Sequence, residues 1–216
     1  MCTVSWRIDS DGYTLFSSRD ELLTRPIADA PRWQEHSGVA YVAPSDTLHG
    51  GTWISANARG LSVCILNAQH GPRGTRSRGE VVRLLASSLD IEGLSTTLTA
   101  ARLEQFSPFV LIALGRHRAA RIFEWDHGHL THRDAPLSGV LTSSSFDDEG
   151  VRAARVAQFE RAVDLEAFHR SHEPRPGAHS VCMHRSDAKT VSLTRIEVTR
   201  SKVGMSYWPG SPCERN

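Results

Sequence analysis

Met1-Cys2-Thr3-Val4-Ser5-Trp6-Arg7-Ile8, then Asp9-Ser10-Asp11-Gly12, then Tyr13-Thr14-Leu15-Phe16-Ser17-Ser18: this opening stretch reads as two strands around a turn. Asp-Ser-Asp-Gly is a strong turn signal, because Asp and Ser bond to nearby backbone and Gly accepts turn dihedrals. The flanking runs are rich in β-branched and aromatic residues, which favour strands. In an antiparallel hairpin the far end of the second strand returns beside the start of the first. The reading therefore sets Arg19-Asp20-Glu21 near Cys2. Cys2 has a second property. An initiator Met before a small residue is commonly trimmed in cells, and residue 2 then carries a thiol and a free α-amine together. An α-amine with a pKa of about 7.7–8.0 can take a thiol proton. On position alone Cys2 also fits a plain strand residue, since Cys is often buried.

The chain has 216 residues, a length that suits a single domain over 1–216. Hydrophobic residues make up 39%, enough for a real core. A formal net charge of +1 gives no reason to expect a nucleic-acid partner or a charged membrane surface. Cys2, Cys64, Cys182 and Cys213 are scattered, with no CxxC and no metal-ligand spacing. Cys64 and Cys182 fall inside apolar runs and read as core thiols. No apolar run is long enough to cross a bilayer, and no signal-peptide core opens the chain. We expect free thiols in a reducing, cytoplasmic compartment, and no cofactor or metal.

Further along, Arg25-Pro26 to Pro31 reads as a loop and Val39–Val42 as a short strand. His49-Gly50-Gly51-Thr52-Trp53-Ile54 leads into a strand, and Leu61–Asn67 returns. The Gly pair has no Lys-Ser/Thr after it, so it is no phosphate loop. His70 to Arg76 is a Gly- and Arg-rich loop. Ser77-Arg78-Gly79-Glu80 has the pattern of a capping box, with Val81, Leu84 and Leu85 on one face of the helix it opens. A second helix is expected over Thr96–Phe106. Phe109–Leu114 is apolar throughout, hence a buried strand, with Ala120–Trp125 and His129–His132 continuing a meander. Residues 137–145 form a polar-ended segment. Residues 147–170 read as the longest helix, with a stripe of Val156, Phe159, Val163 and Ala167. Ser180–His184, Thr190–Thr199 and Val203–Trp208 read as final strands. His127, His129 and His132 have metal-binding side chains, but alternation puts His132 on the other face from the first two. For His169 and His172, near a helix end, contact with the helix dipole suffices. Strand runs with hairpin spacing, interrupted by helices, argue for an α+β domain: two antiparallel sheets face to face, helices outside.

Several of these segments occur together elsewhere. Met-Cys-Thr-Val at the start, Ser18-Arg19-Asp20-Glu21 with Arg25-Pro26, Gly50-Gly51-Thr52-Trp53, Leu66-Asn67 and Ser77-Arg78-Gly79-Glu80 follow in order. In this the chain resembles the NRDE family, the transport-and-Golgi-organisation protein 2 family, chiefly over its first ninety or so residues. The resemblance implies a fold related to N-terminal-nucleophile hydrolases, a four-layer α-β-β-α sandwich of two mainly antiparallel sheets. It also implies similarity to the choloylglycine hydrolase and penicillin V acylase group, whose mature N-terminus is Cys. There, a carboxylate from the second strand holds the α-amine, an Arg lies close to the thiol, and an Asn at a strand end helps form the oxyanion hole. Carried onto this chain, Cys2 is the nucleophile, Asp20 the carboxylate, Arg19 the Arg and Asn67 the oxyanion Asn.

The chain departs from the pattern twice. Ser18 replaces the first Asn of the motif, and Ser143 stands where a later Asn is expected; a hydroxyl donates less firmly than an amide. Alternation also puts Arg19 and Asp20 on opposite faces unless a bulge intervenes. Each residue has a plainer reading: Arg19 as a surface ion pair, Asp20 as an exposed strand-end charge, Asn67 as a turn cap. Two functions follow from the resemblance. One is a cysteine amidohydrolase cleaving the non-peptide C–N bond of a small acyl-amide. The other is a non-catalytic binding or trafficking protein for a hydrophobic ligand, lipid or haem, on the same fold. A free Cys2 amine directed into a pocket with Asp20 and Asn67 favours the first, an apolar pocket with Cys2 hidden the second.

Overall fold

The computed structural model describes residues 2–68 and 71–214. The trimming of Met1, and His70 at the start of the Gly- and Arg-rich loop, fall outside these residues. β1 (Cys2–Ile8) and β2 (Gly12–Leu22) form the hairpin. Its turn is held by Asp9, whose Oδ1 accepts from the backbone N–H groups of Asp11 and Gly12 at 2.8 and 2.9 Å. Gly12 has no substitute, because a Cβ there would run into the Val198 carbonyl.

The hairpin lies at the centre of a five-stranded sheet. The polar-ended segment is β10 (Ser138–Ser143), which pairs with the free side of β1, while β11 (Ala188–Thr199) and β12 (Val203–Pro209) extend the sheet beyond β2. The second sheet runs in chain order: β3 (Asp29–His36), β4 (Val39–Ser45), β5 (Ile54–Asn57), β6 (Ser62–Asn67), β7 (Phe109–Leu114), β8 (Ala120–Trp125) and β9 (Leu130–Asp134). Every pairing between these strands is antiparallel. β3 replaces the second half of the expected Arg25–Pro31 loop. It is an exposed edge strand, so water on both faces erases the alternation that would announce it.

Val4, Trp6, Ile8, Tyr13 and Leu15 of the hairpin join residues of the second sheet in one apolar core. Cross-sheet polar contacts pin the two together: the Tyr13 hydroxyl donates to Ser62 Oγ at 2.6 Å, and Cys64 Sγ lies 3.7 Å from Ser17 Oγ. α1 (Gly79–Leu85) and α2 (Ile91–Ala100) cover the second sheet with Val81, Val82, Leu85, Leu94 and Leu98, all fully buried. Leu84, expected on that face, is exposed. α2 starts earlier than the sequence suggested because Asp90 caps it, accepting from Gly93 N–H at 2.8 Å.

The outer face of the first sheet is polar beneath α3, with an apolar patch of Phe16 and Leu193 under Leu165, and this decides how its helices pack. The expected helix over 147–170 divides into α3 (Asp148–Arg161) and α4 (Leu165–Arg170), since Asp164 caps a new start by accepting from Ala167 N–H at 2.7 Å. α3 buries Val151, Arg155 and Gln158 rather than the apolar stripe, and Val163 is 91% exposed. Thr3, Ser5, Ser18 and Asp20 face these helices, so a polar helix face satisfies them. Ser180–His184 is not a strand; it meets β11 through an isolated bridge at His184 and through hydrogen bonds between Met183 and Thr190. The layers are thus α-β-β-α. No helix among the described residues is long and apolar enough to cross a membrane.

Candidate active site

β1 begins in the interior of its sheet, so Cys2 has a cross-strand neighbour on each side, Arg19 on β2 and Ser143 on β10. Directly opposed residues share a face, and all three side chains point towards the second sheet. Ser143 Oγ is buried and has no hydrogen-bond partner among the described residues. A cleft of about 520 Å³ opens at Cys2, and Arg19, Glu21, Asp46, Trp53, Asn67 and Arg78 are among the residues lining it. Asn67 is held there, exposed, by the end of β6. The sequence therefore brought Cys2, Arg19 and Asn67 to one cleft, with Ser143 beside them.

Arg19 is not a surface residue; it is 4% exposed. Its guanidinium lies 4.5 Å from the Trp53 ring centroid and bonds to Asp46 at 2.9 Å and Glu21 at 3.1 Å. Arg25 grips the same two carboxylates from the cleft rim. Burial works against the Asp46 charge, but the Arg25 hydrogen bond holds its carboxyl below the usual range. Such a clamp fixes the position of the Arg19 charge beside Cys2.

Asp20 does not line the cleft with Cys2, Arg19 and Asn67. Alternation turns it to the outer face of the sheet, where it is fully buried, neither in the cleft nor exposed. Its Oδ2 pairs with Arg155 Nη1 at 3.2 Å, and its Oδ1 accepts from Thr190 Oγ1 at 2.6 Å. The same Arg155 nitrogen donates to Thr3 Oγ1 at 2.6 Å. The register shift in this region lies in β11, between Thr190 and Ser192, so nothing in β2 swings Asp20 round. Glu21, two residues beyond Arg19, is the carboxylate that shares the Cys2 face. Parity along β2 was the signal that could have found it.

Burial pushes the Cys2 thiol up, the charge of the chain's α-ammonium opposes it, the carboxylates of Asp20 and Glu21 add to the rise, and Arg19 opposes them; the net direction is up. The thiol therefore keeps its proton near neutral pH and needs a base in contact with it.

Behind the site, His169 on α4 ties the two hairpin strands together. Its Nε2 meets Ser5 Oγ at 2.9 Å and its Nδ1 meets Ser18 Oγ at 2.7 Å. Burial, helped by the Arg155 charge, lowers its pKa to about 3. It is neutral, so the helix-dipole account offered for it fails. His127 and His132 rest on Trp125 and Phe123, while His129 sits near Asp126, and these three do not converge on a metal position.

Charge in the cleft is unbalanced. Five arginines line it (19, 25, 73, 76 and 78), against the carboxylates of Glu21 and Asp46. Arg76 pairs with Glu80. Arg73 and Arg78 make no ion pair among the described residues, and Arg78 donates only to the Pro108 carbonyl, at 2.9 Å.

A family model described as Transport and Golgi organisation 2 matches residues 1–167. No curated protein matches the chain. Among solved structures it is similar to an N-acylethanolamine-hydrolyzing acid amidase ortholog from Caenorhabditis elegans, with a TM-score of 0.65 and 12% identity, covering 91% of this chain and 92% of that one. It is also similar to a conjugated bile acid hydrolase variant from Clostridium perfringens, with a TM-score of 0.57 and 11% identity over 100% and 95% of the two chains. Penicillin V acylase from Agrobacterium tumefaciens follows at a TM-score of 0.51 and 11% identity, over 97% and 86%. At these identities the likeness shows the N-terminal-nucleophile hydrolase fold.

Proposed function

The chain belongs to the Transport and Golgi organisation 2 family, and from that premise we propose that it is a cysteine amidohydrolase acting through its N-terminal nucleophile. One observation carries this: Cys2 opens an interior strand and faces a polar cleft beside Arg19 and Asn67. Once Met1 is removed, the Cys2 α-amine takes the thiol proton and the thiolate attacks the carbonyl of a small acyl-amide. Asn67 and a backbone N–H hold the oxyanion, with the Ser143 hydroxyl as a further donor. The leaving amine collects the proton from the Cys2 ammonium and departs, leaving a thioester. Water, deprotonated by the same amine, cleaves it. Arg19 offsets the negative charge, while Asp20 from the outer face and Glu21 from the cleft favour the ammonium. The four free thiols suit a cytoplasmic setting.

The polar lining speaks against a lipid or haem ligand. The unpaired Arg73 and Arg78 favour an acyl-amide carrying a carboxylate, such as an N-acyl amino acid. The test is hydrolysis of N-acyl amino acids and their methyl esters by the trimmed protein, by Asn67→Ala, and by protein kept behind an uncleaved N-terminal extension. The trimmed protein should prefer the acids, and Asn67→Ala should slow turnover by roughly a hundredfold. The extended protein should be inactive, because its Cys2 nitrogen is a neutral amide. Equal turnover by the extended protein would refute the amine mechanism. No turnover by any form, with tight binding of haem or an acyl chain, would put the binding reading first.

A further inference from the structure

On the far side of the first sheet from the cleft, four side chains converge that the proposed reaction does not use. His172 follows α4, Cys182 and His184 lie on the irregular segment before β11, and Cys213 sits in a 3-10 helix at Pro212–Glu214. One ligand atom from each lies within 4.8 Å of all the others. We propose that these four residues form a closed tetrahedral zinc site that fastens the C-terminal 3-10 helix to the end of α4.

The distances fit. With Zn–S of about 2.3 Å and Zn–N of about 2.0–2.1 Å, a tetrahedral S···N edge is about 3.6 Å. His184 Nε2 lies 3.5 Å from Cys182 Sγ and 3.4 Å from Cys213 Sγ. Hydrogen bonding of one imidazole nitrogen to both sulfurs requires a weaker, shared three-centre contact. A shared cation accounts for both. The rings of His172 and His184 meet at 5.0 Å and 72°, an arrangement in which two imidazoles can present nitrogens to one point. His172 Nε2 is buried with no hydrogen-bond partner among the described residues.

The backbones carrying these ligands are fixed independently. Cys182 N–H donates to Ser171 O at 3.0 Å, and Met183 N–H to Thr190 Oγ1 at 2.8 Å. Ser211 Oγ donates to Thr190 O at 3.0 Å, and Gly210 N–H to Val191 O at 2.8 Å. A preformed N₂S₂ set loses little freedom on binding, and thiolate with imidazole selects zinc over magnesium or calcium. Four protein ligands leave no open position, so the site is structural rather than catalytic.

The test uses the full-length protein, stripped with chelator, titrated with zinc and dialysed, with metal content measured by elemental analysis. One equivalent should remain. Cobalt(II) in its place should give the visible bands of tetrahedral coordination and a near-ultraviolet thiolate charge-transfer band. Cys213→Ser should cut that band by about half, since one of two thiolates is lost. Cys64→Ala should leave it unchanged. Failure to retain zinc, octahedral cobalt bands, an unchanged thiolate band in Cys213→Ser, or a Cys182–Cys213 disulfide in freshly purified protein would each overturn the proposal. None of these readouts depends on hydrolysis.

Discussion

Replacing His169 with Gln removes one titrating group from the junction of β1 and β2 while leaving an amide that can still bond a serine hydroxyl. In the native protein the buried imidazole stays neutral down to about pH 3. In the unfolded chain a histidine takes its proton at about pH 6.5. Between those values the unfolded state binds more protons, so the stability His169 supports is intact above 6.5 and is lost as pH falls towards 3. Each pH unit below 6.5 costs about 1.4 kcal/mol, which makes the loss about 2 kcal/mol at pH 5. His169→Gln should be less stable than the parent at pH 8, and the gap should close by about 2 kcal/mol at pH 5. Urea unfolding of both proteins at the two pH values measures this, and the other histidines cancel in the difference. A gap constant to within about 0.5 kcal/mol would mean that His169 is not held neutral in the fold, and the account of the hairpin's anchoring would be wrong.

Three further outcomes are expected. Arg155→Met takes the paired positive charge away from the buried Asp20 carboxylate and should cost about 3–5 kcal/mol in urea unfolding, much of which Asp20→Leu in the same chain should recover. Gly139→Val puts a side chain into the Trp6 indole beside β1 and should cost about 1–3 kcal/mol, read as a lower Tm. Arg78→Gln should raise KM for a carboxylated acyl-amide by about tenfold, leave kcat unchanged, and have little effect on the methyl ester.

The parts of this fold that were legible are those where one face meets oil and the other does not. The hairpin and the strands after Thr190 carry that pattern, the run Phe109–Leu114 was legible instead because it is apolar throughout, and all stand where they were expected. Arg19 and Asn67 were legible through resemblance, and strand parity had already set Arg19 and Asp20 on opposite faces. Glu21 passed unnoticed because the resemblance drew attention to Asp20. Asp46, Trp53 and the loop arginines reach the cleft from distant segments, and no local spacing reports such convergence. The stripe chosen for α3 failed for a different reason: hydrophobicity ranks the faces of a helix only when the surface beneath it is apolar. For Cys182 the apolar setting suggested a core thiol, and nothing in its sequence distance from Cys213 shows that both reach His184.

The contrast between the two helical layers reaches into calorimetry. α1 and α2 are held by Val81, Val82, Leu85, Leu94 and Leu98, whereas α3 rests on Arg155 and Gln158 over hydroxyls and a carboxylate. Exposing apolar surface raises heat capacity and exposing polar surface lowers it, so separating the two layers carries different thermal signatures. Lifting α1 and α2 away has a strongly temperature-dependent enthalpy. Lifting α3 exposes mainly groups that water solvates well, with a heat-capacity change that is small or of the opposite sign. Warming within the native range therefore loosens the two sides of the sandwich unequally. On the Cys2 sheet it is the α3 part of the covering, not the Leu165 and Phe168 side of α4, whose grip varies least in this way.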